Sequence, residues 1–184
     1  MTSAHHREAA SSLLPLLKSA SDASERKRLL RSLAEHLTNI EGEVSLYAEA
    51  LLMHALADCQ SDPSVRKVAF DLLIDVLEPP DYVPLLLQRL KGTENASTAA
   101  LNCLSACCEE VEEEWAHIDA TLAEILASKV LELNSLVVKQ ASSTDSDSDL
   151  ALQIEAKETA VACWKLRIAN WKDEKDWADD EEDY

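Results

Sequence analysis

Asp62-Pro63-Ser64-Val65-Arg66 is followed by apolar residues at helical spacing, namely Ala69, Leu72, Leu73, Val76 and Leu77. The Asp62 side chain can accept a hydrogen bond from a free N–H group of a first helical turn, and Pro63 stands where a missing N–H costs nothing. The stretch therefore predicts a sharp helix start and a helix with one apolar face. Such a helix needs neighbours to cover that face, which favours a stacked array of helices.

The composition of the 184 residues also favours helices. Only two glycines occur, Gly42 and Gly92, and aromatic residues make up 4% of the chain. Few glycines and few aromatics argue against twisted sheets with tight turns, so an all-α protein is predicted. The five cysteines lack paired-ligand spacing and the N-terminus lacks an apolar leader, so we expect a cytoplasmic or nuclear protein. No apolar run approaches the length that spans a bilayer, and no membrane partner is expected.

Helical periodicity predicts four pairs of helices in one domain, residues 1–172. The pairs are 11–20 with 24–39, 44–60 with 63–77, 81–90 with 96–111, and 115–139 with 150–172. The segment Pro79-Pro80 is a helix breaker that separates the second pair from the third. A flexible Ser/Asp loop, residues 141–149, divides the last pair, and an acidic aromatic tail, residues 173–184, follows the domain.

One pattern recurs along the chain. Leu14-Pro15-Leu16-Leu17 returns as Val83-Pro84-Leu85-Leu86 after sixty-nine residues, which is two units of about thirty-five. The chain resembles the HEAT and armadillo-like helical repeats, in which a Pro-Leu-Leu first helix leads to a second helix that opens Asp-Pro-x-Val-Arg. The resemblance covers residues 11–112 and implies an α-solenoid of about four antiparallel hairpins that acts as a protein-binding surface. It identifies no site residues.

The charge of the chain points to the kind of partner. The formal net charge is −18, and residues 1–40 carry six Lys/Arg against four acids, so this end is +2 and the remainder is −20. Nucleic acid is excluded as an expected ligand because its phosphates would be repelled, whereas a basic protein segment would be attracted.

The acidic aromatic tail is the candidate binding site for that segment. We expect the first contacts from Trp177, Asp179, Asp180, Glu181, Glu182 and Asp183, since carboxylates attract Lys and Arg and an exposed ring offers a cation–π contact. The alternative is a solvated tail that only keeps the protein soluble. The predicted function is a non-catalytic adaptor for a ribosomal protein, a histone or a basic targeting peptide. The rival is a constitutive subunit of a larger complex, including a translation-factor-like HEAT module.

The Ser/Asp loop contains three candidate phosphorylation sites. Ser142, Thr144 and Ser146 each have an Asp three residues on, the pattern that acid-directed kinases favour. Phosphates there would deepen the negative field and strengthen a hold on a basic partner. The alternative is an unmodified connector.

Metal, cofactor and catalytic sites are not expected. Cys103, Cys107 and Cys108 with His117 could be considered zinc ligands, but His117 lies nearly three helical turns on, so buried thiols are predicted instead. Two glycines do not make a nucleotide-binding loop, and no nucleophile–base motif is present.

Two charged runs have competing interpretations. The first run is a basic cluster made of Arg26, Lys27, Arg28 and Arg31. It either binds an acidic segment, such as the chain's own tail, or only forms a solvent-exposed side of the second helix. An acidic run up to Glu114 leads into Trp115-Ala116-His117-Ile118. It resembles an extended motif that adds a strand to ubiquitin-like modifiers, but its position favours a helix junction with an inward Trp.

Overall fold

The computed structural model describes residues 2–40, 44–56, 62–142 and 148–181. Within these ranges the chain forms eight α-helices and no β-strand, so the all-α prediction is confirmed. The chain divides into two compact units, Met1–Val111 and Glu112–Tyr184.

The described part of the first unit contains six helices. They are α1 (Ser3–Ser19), α2 (Ala23–Leu37), α3 (Ser45–Ala55), α4 (Pro63–Val76), α5 (Pro79–Leu90) and α6 (Glu94–Ala106). Consecutive helices pack as pairs, α1 with α2, α3 with α4, and α5 with α6. Packing also joins α2 to α4, and α3 contacts both α1 and α5. Because α3 contacts three other helices, it is the central element of this unit.

The start of α4 has the predicted geometry. An oxygen of the Asp62 carboxylate accepts a hydrogen bond of 2.8 Å from the Ser64 N–H, and Pro63 is the first residue of the helix. Hydrogen bonds from the Ser64 hydroxyl and backbone lower the pKa of the Asp62 carboxyl. Asp22 caps α2 in the same way, with 2.9 Å to the Glu25 N–H. Both acids therefore satisfy N–H groups that the helices leave free.

The prolines of α5 differ from their predicted role. The helix begins at Pro79 and not at Asp81, so Pro79 and Pro80 form its first turn. The N–H groups of a first helical turn have no acceptor within the helix, so proline costs no hydrogen bond there. The fixed φ of proline also suits a helix. The predicted breaker therefore also begins the next helix.

Leucines build the core of the first unit. The fully buried ones are Leu30, Leu33, Leu51, Leu52, Leu56, Leu73, Leu86, Leu90 and Leu104. Two polar contacts lie among them. The Tyr47 hydroxyl on α3 is 2.9 Å from the Ser11 hydroxyl on α1, and the buried Ser97 hydroxyl donates to the Leu90 carbonyl at 2.6 Å. These bonds join neighbouring helices without leaving the polar groups unpaired.

Two long helices form most of the second unit. A short 3₁₀ turn, Glu112–Glu114, precedes α7 (Trp115–Ser142), which packs against α8 (Ser148–Glu181). The buried side of α8 carries Leu150, Ile154, Val161, Trp164 and Trp171, spaced by threes, fours and sevens. The helical spacing of Trp164 and Trp171 with Ile154 and Val161 in the sequence predicts that both rings close the core, and their burial confirms this prediction. Such spacing places all five side chains on one stripe, as in a coiled-coil seam.

Helix α8 is longer than the sequence pattern suggested. It continues past residue 172, the predicted end of the repeat domain, to Glu181. The first nine residues of the predicted tail are therefore helical. No helix among the described ranges has both the length and the apolar character that crossing a membrane requires.

Candidate protein-binding site

Trp177 lies near the C-terminal end of α8 and differs from the other tryptophans of that helix. Its side chain is 76% exposed, whereas Trp164 and Trp171 are fully buried. A single exposed apolar side chain is common on protein surfaces, so the meaning of this one depends on the residues around it. The exposed ring is available to a partner.

Acidic residues surround Trp177 along the helix. Positions three and four residues before and after a helical residue lie on the same face. For Trp177 these positions hold Asp173, Glu174, Asp180 and Glu181, all of them acids. We call Trp177 and these four residues the acidic Trp177 face. Four acidic positions of one helical segment therefore lie three and four residues from the exposed ring.

The predicted site residues divide into three groups. Trp177, Asp180 and Glu181 belong to the acidic Trp177 face, whereas Asp179 follows Trp177 by two residues and so lies on the opposite side of α8. Glu182 and Asp183 lie outside the described residues. Sequence reasoning missed Asp173 and Glu174, because it treated the segment as a tail without helical spacing.

The lysines near this face leave its negative charge intact. Residues 172–184 contain two, Lys172 and Lys175, at helical positions away from Trp177. The Lys175 ammonium lies 2.5 Å from a carboxylate oxygen of Asp119 on α7 and 5.5 Å from the centre of the Trp115 ring. Lys175 therefore neutralises an acid of α7 and not the acids beside Trp177.

Trp171 anchors this part of α8 to α7. Its indole N–H donates a hydrogen bond of 2.8 Å to Asp119, and its ring is fully buried. Further along the pair, Lys157 of α8 forms an ion pair with Glu132 of α7, and the hydrogen bond and charge of Lys157 lower the pKa of the Glu132 carboxyl. Helix α8 is thus held at several points before it presents Trp177.

The net charge of the second unit adds to the field of this face. Glu112–Tyr184 contains nineteen acids and seven Lys/Arg, a formal charge of −12, whereas Met1–Val111 carries −6. Summed charge of one sign raises the local concentration of oppositely charged ligands and speeds their encounter. The acidic Trp177 face suits a cationic segment.

The basic cluster on α2 has roles within the first unit. Arg26 donates from Nε to the Ala20 carbonyl at 2.8 Å, at the end of α1, and the Lys27 ammonium donates to the Ser64 hydroxyl of α4 at 3.2 Å. Arg28 and Arg31 are exposed. Two of the four cations therefore hold neighbouring helices together.

The phosphorylation candidates are only partly described. Ser142 is the last residue of α7 and its hydroxyl donates to the Val138 carbonyl at 2.8 Å. Thr144 and Ser146 lie outside the described residues.

The cysteines and the Trp115 segment are built into the helices. Cys103, Cys107 and Cys108 are buried, and the hydrogen bond with Cys107 together with burial raises the pKa of the Cys103 thiol. His117 is exposed on α7, and the described part of the chain contains no group of three or more side chains that could hold a metal ion. Trp115 begins α7, directly after the acidic 3₁₀ turn.

One groove opens on the surface of the first unit. It has a volume of about 260 Å³ and is lined by Ala55, Arg66, Lys67, Phe70, Ala99, Asn102, Cys103 and Ala106. Its lining is mostly apolar and contains no carboxylate or histidine to act beside the two cations.

Comparison of the whole chain with models of known families, with curated proteins and with solved structures found no match in any of the three.

Proposed function

We propose that this protein is a non-catalytic adaptor that binds a basic segment of another protein through the acidic Trp177 face. The observation that carries the proposal is the 76% exposed ring of Trp177 on a helix whose positions three and four residues to either side are all acidic. A ribosomal protein, a histone or a basic targeting peptide has the required chemistry. Such partners belong to the cytoplasm or nucleus, the location we propose from the cysteine pattern.

The proposed contact combines two interactions. A lysine or arginine of the partner lies over the Trp177 ring, a cation–π contact of about 0.5–1 kcal/mol at an exposed site. The flanking carboxylates bind further cations of the same segment and guide its approach. The cation–π contact alone does not explain the acids, and attraction to the acids alone does not explain the exposed ring. A single cationic ligand would use both interactions.

The packing of the first unit supports a scaffold of the HEAT type. In a stack of helical hairpins each helix contacts its own partner and the equivalent helix of the next hairpin. The contacts of α1 with α3, α3 with α5, and α2 with α4 follow that order. We propose a solenoid of three hairpins for this unit, with α7 and α8 as the fourth pair of the chain.

Fluorescence anisotropy with a labelled Lys/Arg-rich peptide tests the proposed function. The wild-type protein is expected to bind this peptide, with an affinity that falls as salt is added, and not to bind a Glu-rich peptide of equal length. Trp177→Ala should weaken binding about twofold to fivefold. Leu166→Ala is the matched control, because Leu166 is a 64% exposed apolar residue of the same helix outside the acidic Trp177 face. Equal losses in the two variants, or no salt-dependent binding by the wild type, would overturn the proposal.

A further inference from the structure

Two histidines of the first unit meet between α1 and α2. The Nδ1 atom of His6 on α1 lies 3.1 Å from the Nδ1 atom of His36 on α2, and the centres of the two rings are 5.3 Å apart. Both side chains are half-buried, so water reaches the contact. The contact therefore places two nitrogens that can bind a metal ion side by side at the surface.

The distance between the two nitrogens suits a shared metal ion. A histidine nitrogen lies about 2.0–2.1 Å from the zinc ion that it binds. Two such ligands lie about 3.3 Å apart at a tetrahedral angle and about 2.9 Å apart at a right angle. The observed distance of 3.1 Å falls between these two values. An ion can therefore bind both nitrogens after small rotations of the two rings.

A hydrogen bond satisfies this contact in only some of its proton arrangements. A neutral imidazole carries its N–H on one of its two ring nitrogens, so one ring donates only if its proton is on Nδ1. When both rings carry the proton on Nε2, two lone pairs face each other and repel. A metal ion binds both lone pairs at once, so it stabilises the arrangement that no hydrogen bond can satisfy.

The neighbouring side chains do not oppose a cation. On a helix, the residues three and four positions away share the face of a given residue. Within α1 and α2 they are Ser3, Ala9 and Ala10 for His6, and Ser32 and Leu33 for His36. None of these five residues is charged, and four of them are small. The two histidines therefore have room beside them for an ion and its water ligands.

We propose that His6 and His36 bind a divalent transition-metal ion of the zinc class between α1 and α2, with water in the remaining coordination positions. Imidazole nitrogen suits zinc, copper and nickel ions, whereas magnesium and calcium prefer oxygen ligands. The ion connects the first turns of α1 to the last turn of α2. It therefore acts as a clip that holds these two helices together, and it involves no residue of the acidic Trp177 face.

Isothermal titration of the full chain with zinc chloride tests the site. All variants carry Cys163→Ser, because an exposed thiol also binds zinc. We expect a saturable site whose affinity falls at least about tenfold in His6→Gln and in His36→Gln. The two losses should not add in the double variant, because the ion needs both ligands. His117→Gln, at an exposed histidine of α7, is the control. Equal zinc binding by all these variants would overturn the proposal.

His5 distinguishes this site from a site made of the adjacent histidines His5 and His6. Its ring meets the His6 ring edge-on, with the ring centres 6.0 Å apart. An ion held by His5 and His6 alone would be lost in His5→Gln and kept in His36→Gln. We expect the reverse, because the Nδ1 atom of His36 faces that of His6. Loss in His5→Gln without loss in His36→Gln would overturn the proposed pair.

Thermal unfolding provides an independent readout. An ion that binds the folded pair and not the unfolded chain raises the melting temperature. Zinc should raise the melting temperature of the parent chain more than that of His36→Gln, and magnesium at the same concentration should raise neither. Equal shifts in the two proteins would overturn the site. Peptide binding by the acidic Trp177 face uses other residues, so either proposal can fail while the other holds.

Discussion

The indole N–H of Trp171 donates a hydrogen bond of 2.8 Å to Asp119, fifty-two residues earlier in the chain. The second carboxylate oxygen of Asp119 accepts from the Lys175 ammonium at 2.5 Å, and only 16% of the Lys175 side chain is exposed. One carboxylate on α7 therefore fixes two successive turns of α8, directly before the turn that presents Trp177.

Replacing Asp119 should destabilise the second unit. Asp119→Ala leaves the buried Trp171 N–H and the mostly buried Lys175 ammonium without their acceptor, which costs about 2 kcal/mol of unfolding free energy. Asp119→Asn keeps an acceptor for the indole and should cost less. Urea unfolding followed by tryptophan fluorescence measures both. Glu158→Ala, at an exposed acid of α8, is the control, and equal stability of Asp119→Ala and this control would contradict the prediction.

The contact between Ser97 and Leu90 should matter in the first unit. Ser97 is 2% exposed and its hydroxyl bonds the Leu90 carbonyl near the end of α5. Ser97→Ala removes that donor from a buried carbonyl and should lower the free energy of unfolding by about 1 kcal/mol. Thr98→Ala is the neighbouring control, because the Thr98 hydroxyl is exposed and bonds within its own helix. Chemical denaturation compares the two, and a greater loss in Thr98→Ala would show that burial of the Ser97 contact is unimportant.

Acidification should destabilise the first unit through His54. Burial and the nearby Arg26 lower the pKa of His54, and its buried Nδ1 has no hydrogen-bond partner among the described residues. Because the unfolded chain takes up this proton at higher pH than the folded chain, the stabilising effect is present above about pH 6.5 and is lost as the pH falls.

Unfolding free energies measured from about pH 7 to about pH 5 should therefore fall more steeply in the wild type than in His54→Gln. Glutamine removes the titrating group while keeping a polar side chain of similar length. Identical slopes would mean that His54 takes up its proton equally in the folded and unfolded chains.

The acids of the acidic Trp177 face should affect the association rate constant, and the Trp177 ring should affect the dissociation rate constant. Replacing Asp173, Glu174, Asp180 and Glu181 by their amides should slow association with a Lys/Arg-rich peptide and flatten its salt dependence, because the acids guide the encounter. Trp177→Ala should leave association nearly unchanged and speed dissociation. Amide substitution of four exposed acids elsewhere in the second unit, Glu112, Glu113, Glu155 and Glu158, controls for net charge. Stopped-flow binding separates the two rates, and unchanged association in the four-amide variant would remove these acids from the encounter.

The sequence predicted features that depend on neighbouring residues of one helix. It did not predict contacts between residues that lie far apart in the chain. Asp62-Pro63 identified the start of α4, and the spacing of Trp164 and Trp171 identified their burial, because each depends on neighbours in one helix. The pairing of Asp119 with Lys175 depends on the register between two helices, which hydrophobic periodicity does not determine. The helical continuation to Glu181 was missed because an all-acidic end without a basic last turn does not resemble a helix C-terminus.

That all-acidic end has an energetic consequence. The C-terminus of a helix carries partial negative charge from its unpaired carbonyls, and cations there are stabilising. Helix α8 has no basic residue in its last turn, so its own side chains oppose the field of its backbone. A lysine or arginine of a bound ligand would act as the missing C-terminal cap. Binding of that ligand would then also stabilise the final turn of α8, so that binding and helix stability would be coupled.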